Sequence, residues 1–297
     1  MSMNLIDIDD FDVPQLYRVL DSAAALKAGE RDPPDRLAGK SLGMLFERPS
    51  TRTRVSFEVG MTQLGGHAVF LGKDDIQLGR GEPVRDTARA LSGYVDGVMA
   101  RVKSHDSMLE LAEYADVPVI NGLSSSAHPA QTVADLLTIR EHCGFEDATV
   151  AWVGDANNVA SSFLVGAAMA GIDVVAATPE GYEFDDDTLA RARGFDGAVE
   201  TTRDPVEAVS GADVVYTDVW VSMGEEEQRE RKLAEFEGFQ LNEALLSHAP
   251  DAAVMHCLPA HRGEEITDAV MESERELIWA QAENRLHGQK GILVELL

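Results

Sequence analysis

Short apolar runs separated by amphipathic stretches recur along nearly all of the 297 residues, and this alternation limits the chain to α/β architecture. A run that is apolar at successive positions has no polar face, so it suits a strand covered on both sides, as in a parallel sheet. The first series of predicted strands covers about 41–46 (SLGMLF), 67–71 (HAVFL), 97–102 (GVMARV) and 117–120 (VPVI). Helical spacing fills 54–64, 84–94 and 107–115 between them. A further helix over 129–142 opens with Pro129, whose missing N–H costs little in a first turn. After a break at GFEDA, strands are predicted near 149–153, 172–177, 213–217 and 253–257, with helices near 158–170, 186–193, 205–210 and 226–236. The spacing predicts two domains, each a central parallel sheet flanked by helices, joined by interdomain helices. Residues 1–140 make the first domain and 145–276 the second. The segment 277–297 reads as a terminal helix too apolar to stand alone, and it is expected to pack back on the first domain.

The stretch FERPSTRTRVSFEVG, residues 46–60, gathers Arg48, Arg52 and Arg54 in a chain of formal net charge -27. ERPSTRTR falls at a predicted strand-to-helix turn on the carboxyl edge of a sheet, where α/β proteins bind ligands. Backbone N–H groups at a helix start, with its partial positive charge, favour an anion. The hydroxyls of Ser50, Thr51 and Thr53 add donors, and the forked guanidinium of Arg52 suits phosphate oxygens. A capped helix with surface arginines would give the same composition. No G-x-x-x-x-G-K-[ST] is present, so this is not a nucleotide P-loop. Two more stretches put polar groups at predicted sheet edges: Arg101 ends the strand in MARV, and His128 and Gln131 open the helix in HPAQTVADLL.

Asp plus Glu number 52 against 25 Lys plus Arg, and the carboxylates are spread along the chain. A polyanionic surface repels nucleic acid and anionic lipid, so neither is expected as a partner. No run of eighteen apolar residues argues for a membrane span, and MSMNLIDIDDFD lacks the pattern of a secretion signal, so the cytoplasm is the expected compartment. Spread acidity with scarce lysine suggests a cytoplasm rich in salt, where screening makes self-repulsion tolerable. Two cysteines, Cys143 and Cys257, indicate no disulfide framework. Cys257 with His256 and His261 invites a zinc reading, but a fourth ligand of suitable spacing is missing and no metal is expected. TVAWVGDANNV has the strand–Gly–helix order of a dinucleotide site but lacks G-x-G-x-x-G.

F-E-R-P-S-T-R-T-R, then M-A-R-V, then H-P-x-Q resemble the carbamoyl-phosphate half of the aspartate/ornithine carbamoyltransferase family. GDANNVASSFL (154–164), DVWVSMGEE (218–226) and HCLPAHRGEEITD (256–268) resemble its ornithine branch, and the likeness runs in order from about residue 40 to the C-terminus. The resemblance implies that Ser50, Thr51, Arg52 and Thr53 hold the phosphate of carbamoyl phosphate, while Arg101, His128 and Gln131 contact its carbonyl and amide ends. Arg285 would reach back toward the same ligand. Gln77 would reach the site of a neighbouring subunit, which implies a homotrimer or an assembly of trimers. Asn158, Asp218, Ser222 and Met223 match ornithine-binding positions, and Cys257 and Leu258 would sit beside the carbamoyl group and the amine. Arg101, His128, Asp218 and Cys257 are the expected catalytic groups. The donor is already activated, so no cofactor is expected. An aspartate acceptor would need a basic side chain where Asp218, Ser222 and Met223 stand; acetylornithine and putrescine stay open as acceptors. The proton acceptor and the direction of the reaction in the cell stay open too.

Overall fold

Ser41–Phe46 (β1) is buried from Leu42 onward, as a strand with no polar face must be. The computed structural model describes residues 3–29, 35–74, 76, 81–222 and 226–297. The chain divides into two units, Met1–Leu137 with Glu283–Leu297, and Thr138–Ala282. In the first unit β1 is joined by His67–Gly72 (β2), Gly97–Arg101 (β3) and Val119–Leu123 (β4) in an all-parallel sheet of order β2-β1-β3-β4. The helices are Val13–Lys27 (α1), Thr51–Gln63 (α2), Val84–Ser92 (α3), His105–Tyr114 (α4) and Pro129–His142 (α5).

Several elements of this unit differ from the sequence reading, α1, α2 and β4 most informatively, while α4 starts at His105 rather than 107 because the Ser104 side chain caps it. Helix α1 is absent from that reading, although Asp12 and Gln15 form a reciprocal capping box and Leu16, Val19, Leu20, Ala23 and Leu26 make a buried stripe. Helix α2 starts at Thr51 rather than at 54, because the Ser50 hydroxyl caps it by accepting the Thr53 N–H at 3.2 Å. Only 47–50 therefore form the turn, and Thr51, Arg52 and Thr53 lie in the first helical turn. Strand β4 is shifted from 117–120 to Val119–Leu123. Its Asn121-Gly122 pair looks like a turn, yet the Asn121 amide donates to Ile6 O (2.8 Å) and Ser124 Oγ (3.0 Å), while its backbone N–H pairs with Leu5 O (2.8 Å).

The second unit holds Thr149–Val153 (β5), Asp173–Ala177 (β6), Val199–Thr202 (β7), Val214–Thr217 (β8) and Ala253–His256 (β9), all parallel in the order β7-β6-β5-β8-β9. Its helices are Asn158–Met169 (α6), Asp186–Ala192 (α7), Pro205–Val209 (α8), Arg229–Glu235 (α9), Glu243–Leu246 (α10) and Asp268–Met271 (α11). The terminal helix Ile278–Leu296 (α12) carries the chain from the second unit into the first, as α5 carries it from the first into the second. Edge strand β7 was not predicted; its residues are half-buried or exposed, so the apolar signal is missing. Trp152, Phe163 and Tyr216 meet edge to face in the core, with Tyr216 at 4.8 Å from Trp152 and 5.1 Å from Phe163.

Strand order reverses between β1 and β3 in one sheet and between β5 and β8 in the other. Loops leaving the carboxyl ends at such switch points diverge and open a crevice. Register brings the strand ends level: Phe46 pairs with Arg101, and Thr217 with His256. No helix among the described residues is long and apolar enough to cross a membrane.

Candidate functional site

At the carboxyl end of the first sheet β4 carries one extra residue, Gly122, opposite the step from Ala100 to Arg101, and the Arg101 side chain at this end is buried. From α12 the buried Arg285 forks across two partners: Nη1 donates to Gln131 Oε1 (2.6 Å) and Nη2 to Thr53 Oγ1 (3.0 Å). Gln131 is held in turn, its Nε2 donating to the buried Asp135 Oδ1 one turn along α5 at 2.7 Å. That bond settles which end of the Gln131 amide faces Arg285. Burial, followed by the fields of Arg285, Arg101 and Arg52, pushes the His128 imidazole well below the ordinary histidine range. His128 is therefore neutral near pH 7, and its ring can donate a hydrogen bond without being a cation.

Thr53, Arg101, His128, Gln131 and Arg285 are thus gathered in one buried cluster, with Ser50, Thr51 and Arg52 at the adjoining start of α2. Arg54 is not part of it: its guanidinium lies over the Phe70 ring, 3.8 Å from the centroid, and pairs with Glu58 at 3.3 Å. Lys103 is exposed. Gln77 lies outside the described residues. Asp135 was missed from sequence; an acid four residues after Gln131 on a helix is the signal that could have found it.

In the second unit Asp218 follows β8 directly and Cys257 follows β9, so the level strand ends put them together. The Cys257 thiol donates to Asp218 Oδ1 at 2.9 Å, and Asn157 Nδ2 donates to Asp218 Oδ2 at 2.8 Å. Asn157, not Asn158, caps α6: its Oδ1 accepts from Val159 N (2.9 Å) and Ala160 N (3.0 Å). Asn158 is the first helical residue and half-buried, as is Ser222 after the Asp218 segment. Met223 lies outside the described residues.

Leu258 has φ of 61°, unusual for a bulky residue. Its N–H donates to His256 Nδ1 (2.9 Å), which leaves the proton on Nε2 to meet the buried Glu265 Oε1 at 3.0 Å. Asp218, His256 and Cys257 have potential ligand atoms within 4.8 Å of one another, but both His256 nitrogens are engaged, so an ion there would have to break one of these bonds. His261 is exposed and groups with Glu264 and Glu265 instead. Behind the 154–158 loop, the buried Lys232 of α9 pairs with Asp155 at 2.9 Å and lies 5.2 Å from the Tyr182 ring centre.

These features define a two-domain parallel α/β protein with a cationic cluster at one switch point and an acid–thiol cluster at the other. Residues 3–141 match the family described as aspartate/ornithine carbamoyltransferase, carbamoyl-P binding domain, and residues 146–296 match its Asp/Orn binding domain. An ornithine carbamoyltransferase of Haloquadratum walsbyi is 61% identical over 297 residues, covering 100% of this chain and 98% of that protein. One from Archaeoglobus fulgidus is 52% identical, covering 99% of this chain and 97% of its own. The solved ornithine carbamoyltransferase of Pyrococcus furiosus superposes with a TM-score of 0.93 at 49% identity, over 99% of this chain and 97% of that one. The chain belongs to the aspartate/ornithine carbamoyltransferase family.

Proposed function

We propose that the protein is an ornithine carbamoyltransferase, moving the carbamoyl group of carbamoyl phosphate to the δ-amine of L-ornithine to give L-citrulline and phosphate. The observation that carries this reading is the opposite character of the two clusters. Arg52, Arg101 and Arg285 surround a neutral His128 in the first unit, which suits a doubly charged anionic donor. Asp218 with Cys257 in the second unit suits a cationic amine and would repel the extra carboxylate of aspartate.

In this reading Ser50, Thr51, Arg52 and Thr53 hold the phosphate, using the N-terminus of α2 as well as their side chains. Arg101, the neutral His128 ring, Gln131 and Arg285 address the carbamoyl end. Asn158, Asp218, Ser222 and Met223 hold ornithine, with Cys257 and Leu258 beside the reacting nitrogen. The δ-amine has an unperturbed pKa near ~10.4 and arrives mostly protonated. Asp218 positions it, and the proton leaves to a side chain or to the departing phosphate. As the nitrogen attacks, negative charge grows on the carbamoyl oxygen, where Arg101 and the His128 N–H stabilise it. The new C–N bond forms as the C–O bond to phosphate breaks. The same groups serve the reverse phosphorolysis of citrulline. Neither metal nor cofactor enters these steps.

The working form in this reading is a homotrimer or an assembly of trimers, with Gln77 contributed across subunits. Support comes from a groove of about 760 Å³ on the first unit, where Ser50 and Thr51 lie beside Val55, Val59 and Phe70. Val55 is 51% and Val59 37% exposed, an apolar surface of the kind that another protein covers. The compartment proposed is a salt-rich cytoplasm; neither Cys143 nor Cys257 is in a disulfide, and acidity spread over the chain is tolerable where charge is screened. The test is a colorimetric assay for ureido product with carbamoyl phosphate and a panel of amines in molar salt. Product from ornithine and none from aspartate is expected; a preference for acetylornithine or putrescine would overturn the acceptor assigned here.

A further inference from the structure

Asn157 holds two structures together with one amide. Its oxygen is committed to the helix, accepting from Val159 N at 2.9 Å and Ala160 N at 3.0 Å. Turning the amide over would aim its two donors at those N–H groups, so the helix start fixes which end faces outward. The Nδ2 end then meets Asp218 Oδ2 at 2.8 Å, while the Cys257 thiol takes Asp218 Oδ1 at 2.9 Å. The carboxylate is gripped at both oxygens, from the start of α6 and from the end of β9.

We infer that Asn157 is a positioning residue for the transfer, setting the plane of the Asp218 carboxylate that receives the amine of ornithine. A carboxylate offers about four acceptor positions, so two donors fix its plane and still leave room for an ammonium group. An aspartate at 157 would cap the helix equally well but face Asp218 with a second carboxylate. A serine would cap it and offer no amide donor. Only a side chain with an acceptor and a donor on one rigid plane does both. Among the described residues the titratable groups facing Asp218 are Cys257 and His256 from the end of β9; from the 154–158 loop it meets the Asn157 amide, while Asp155 in that loop is paired with Lys232.

The inference rests on ornithine being the acceptor, and Asn157→Ser and Asn157→Asp separate the two ideas, since both keep the cap. The measurements are thermal midpoint, carbamoyl phosphate affinity by calorimetry, and kcat/KM for ornithine against pH. Expected are near-parental midpoints and donor affinity, with kcat/KM for ornithine in Asn157→Ser down about ten- to hundredfold, the worth of one hydrogen bond to a charged group. In Asn157→Asp a new titration is expected, because two facing carboxylates keep one proton between them above the usual carboxylate range. Below it the protonated acid donates as the amide did; above it that donor is gone, so the deficit widens as pH rises. Parental kcat/KM and pH profile in both folded variants would overturn the positioning role. A folded parent that forms no citrulline would overturn the function beneath it. A loss of donor affinity equal to the loss in kcat/KM would make Asn157 merely structural and overturn the inference as well.

Discussion

Removing the Lys232 ammonium tests how the loop that carries Asp155 in the second unit is supported. Lys232 Nζ stands 2.9 Å from Asp155 Oδ2, with side chains only 5% and 14% exposed. At an effective dielectric of about 20, a pair at that distance attracts by roughly 6 kcal/mol before desolvation, which offsets much of it. Lys232→Met keeps most of the stem and leaves the half-buried Asp155 without this cation, a change that costs up to about 3–5 kcal/mol. Adding Asp155→Asn removes the charge that faced Lys232, so the double variant is expected to recover at least about 2 kcal/mol of that loss. The assay is a double-mutant cycle in urea, followed by tryptophan fluorescence. It reports the right unit, because Trp152, Trp220 and Trp279 are the only tryptophans and all lie within Thr138–Ala282. Burial shields the pair, so molar salt should alter the coupling little. A coupling below about 0.5 kcal/mol, within the scatter of independent sites, would refute the reasoning.

Three further outcomes follow from the first unit. Arg101→Ala should lower kcat by ~10²–10³, the usual loss of one donor to a developing oxyanion, while the exposed Arg85→Ala changes it little; equal small losses would remove Arg101 from the chemistry. Arg285→Lys replaces a fork that spans Gln131 and Thr53 with a point charge, and calorimetry should show carbamoyl phosphate bound about ten- to hundredfold more weakly. His128, depressed by burial and its arginines, gives stability that is complete above about pH 6.5 and is lost as pH falls below it, because the unfolded chain takes the proton first. The thermal midpoint of the parent should therefore drop more steeply from pH 7 to pH 5 than that of His128→Asn; parallel curves would contradict the neutral imidazole.

The sequence exposed what depends on periodicity. Fully apolar strands such as SLGMLF and TVAWV were legible because both faces are covered, and their bounds agree with β1 and β5. Strand β7 was not, because an edge strand with polar, exposed positions has no such pattern. Helix α1 had its signals in Asp12, Pro14 and Gln15 and in the spacing of Leu16, Val19, Leu20 and Ala23, which the sequence reading missed. The anion-binding expectation at 50–53 rested on residue types, but the fork from Arg285 to Thr53 joins positions far apart in the chain and no spacing reveals it. In the pair Asn157-Asn158, sequence names two amides before a helix and only the backbone decides which one caps it. The Asp135 support of Gln131 left only its four-residue spacing as a signal, and the Glu265–His256 support of Leu258 left none, since each acts through another side chain.

Carbamoyl phosphate labelled with ¹³C at its carbonyl, mixed with protein and ornithine in molar salt and followed by NMR, measures the transfer itself. The label should leave the donor signal and appear in the ureido carbon of citrulline, faster than in protein-free solution and much more slowly with Arg101→Ala. A folded protein that leaves the label to spontaneous breakdown at the protein-free rate would contradict the assignment.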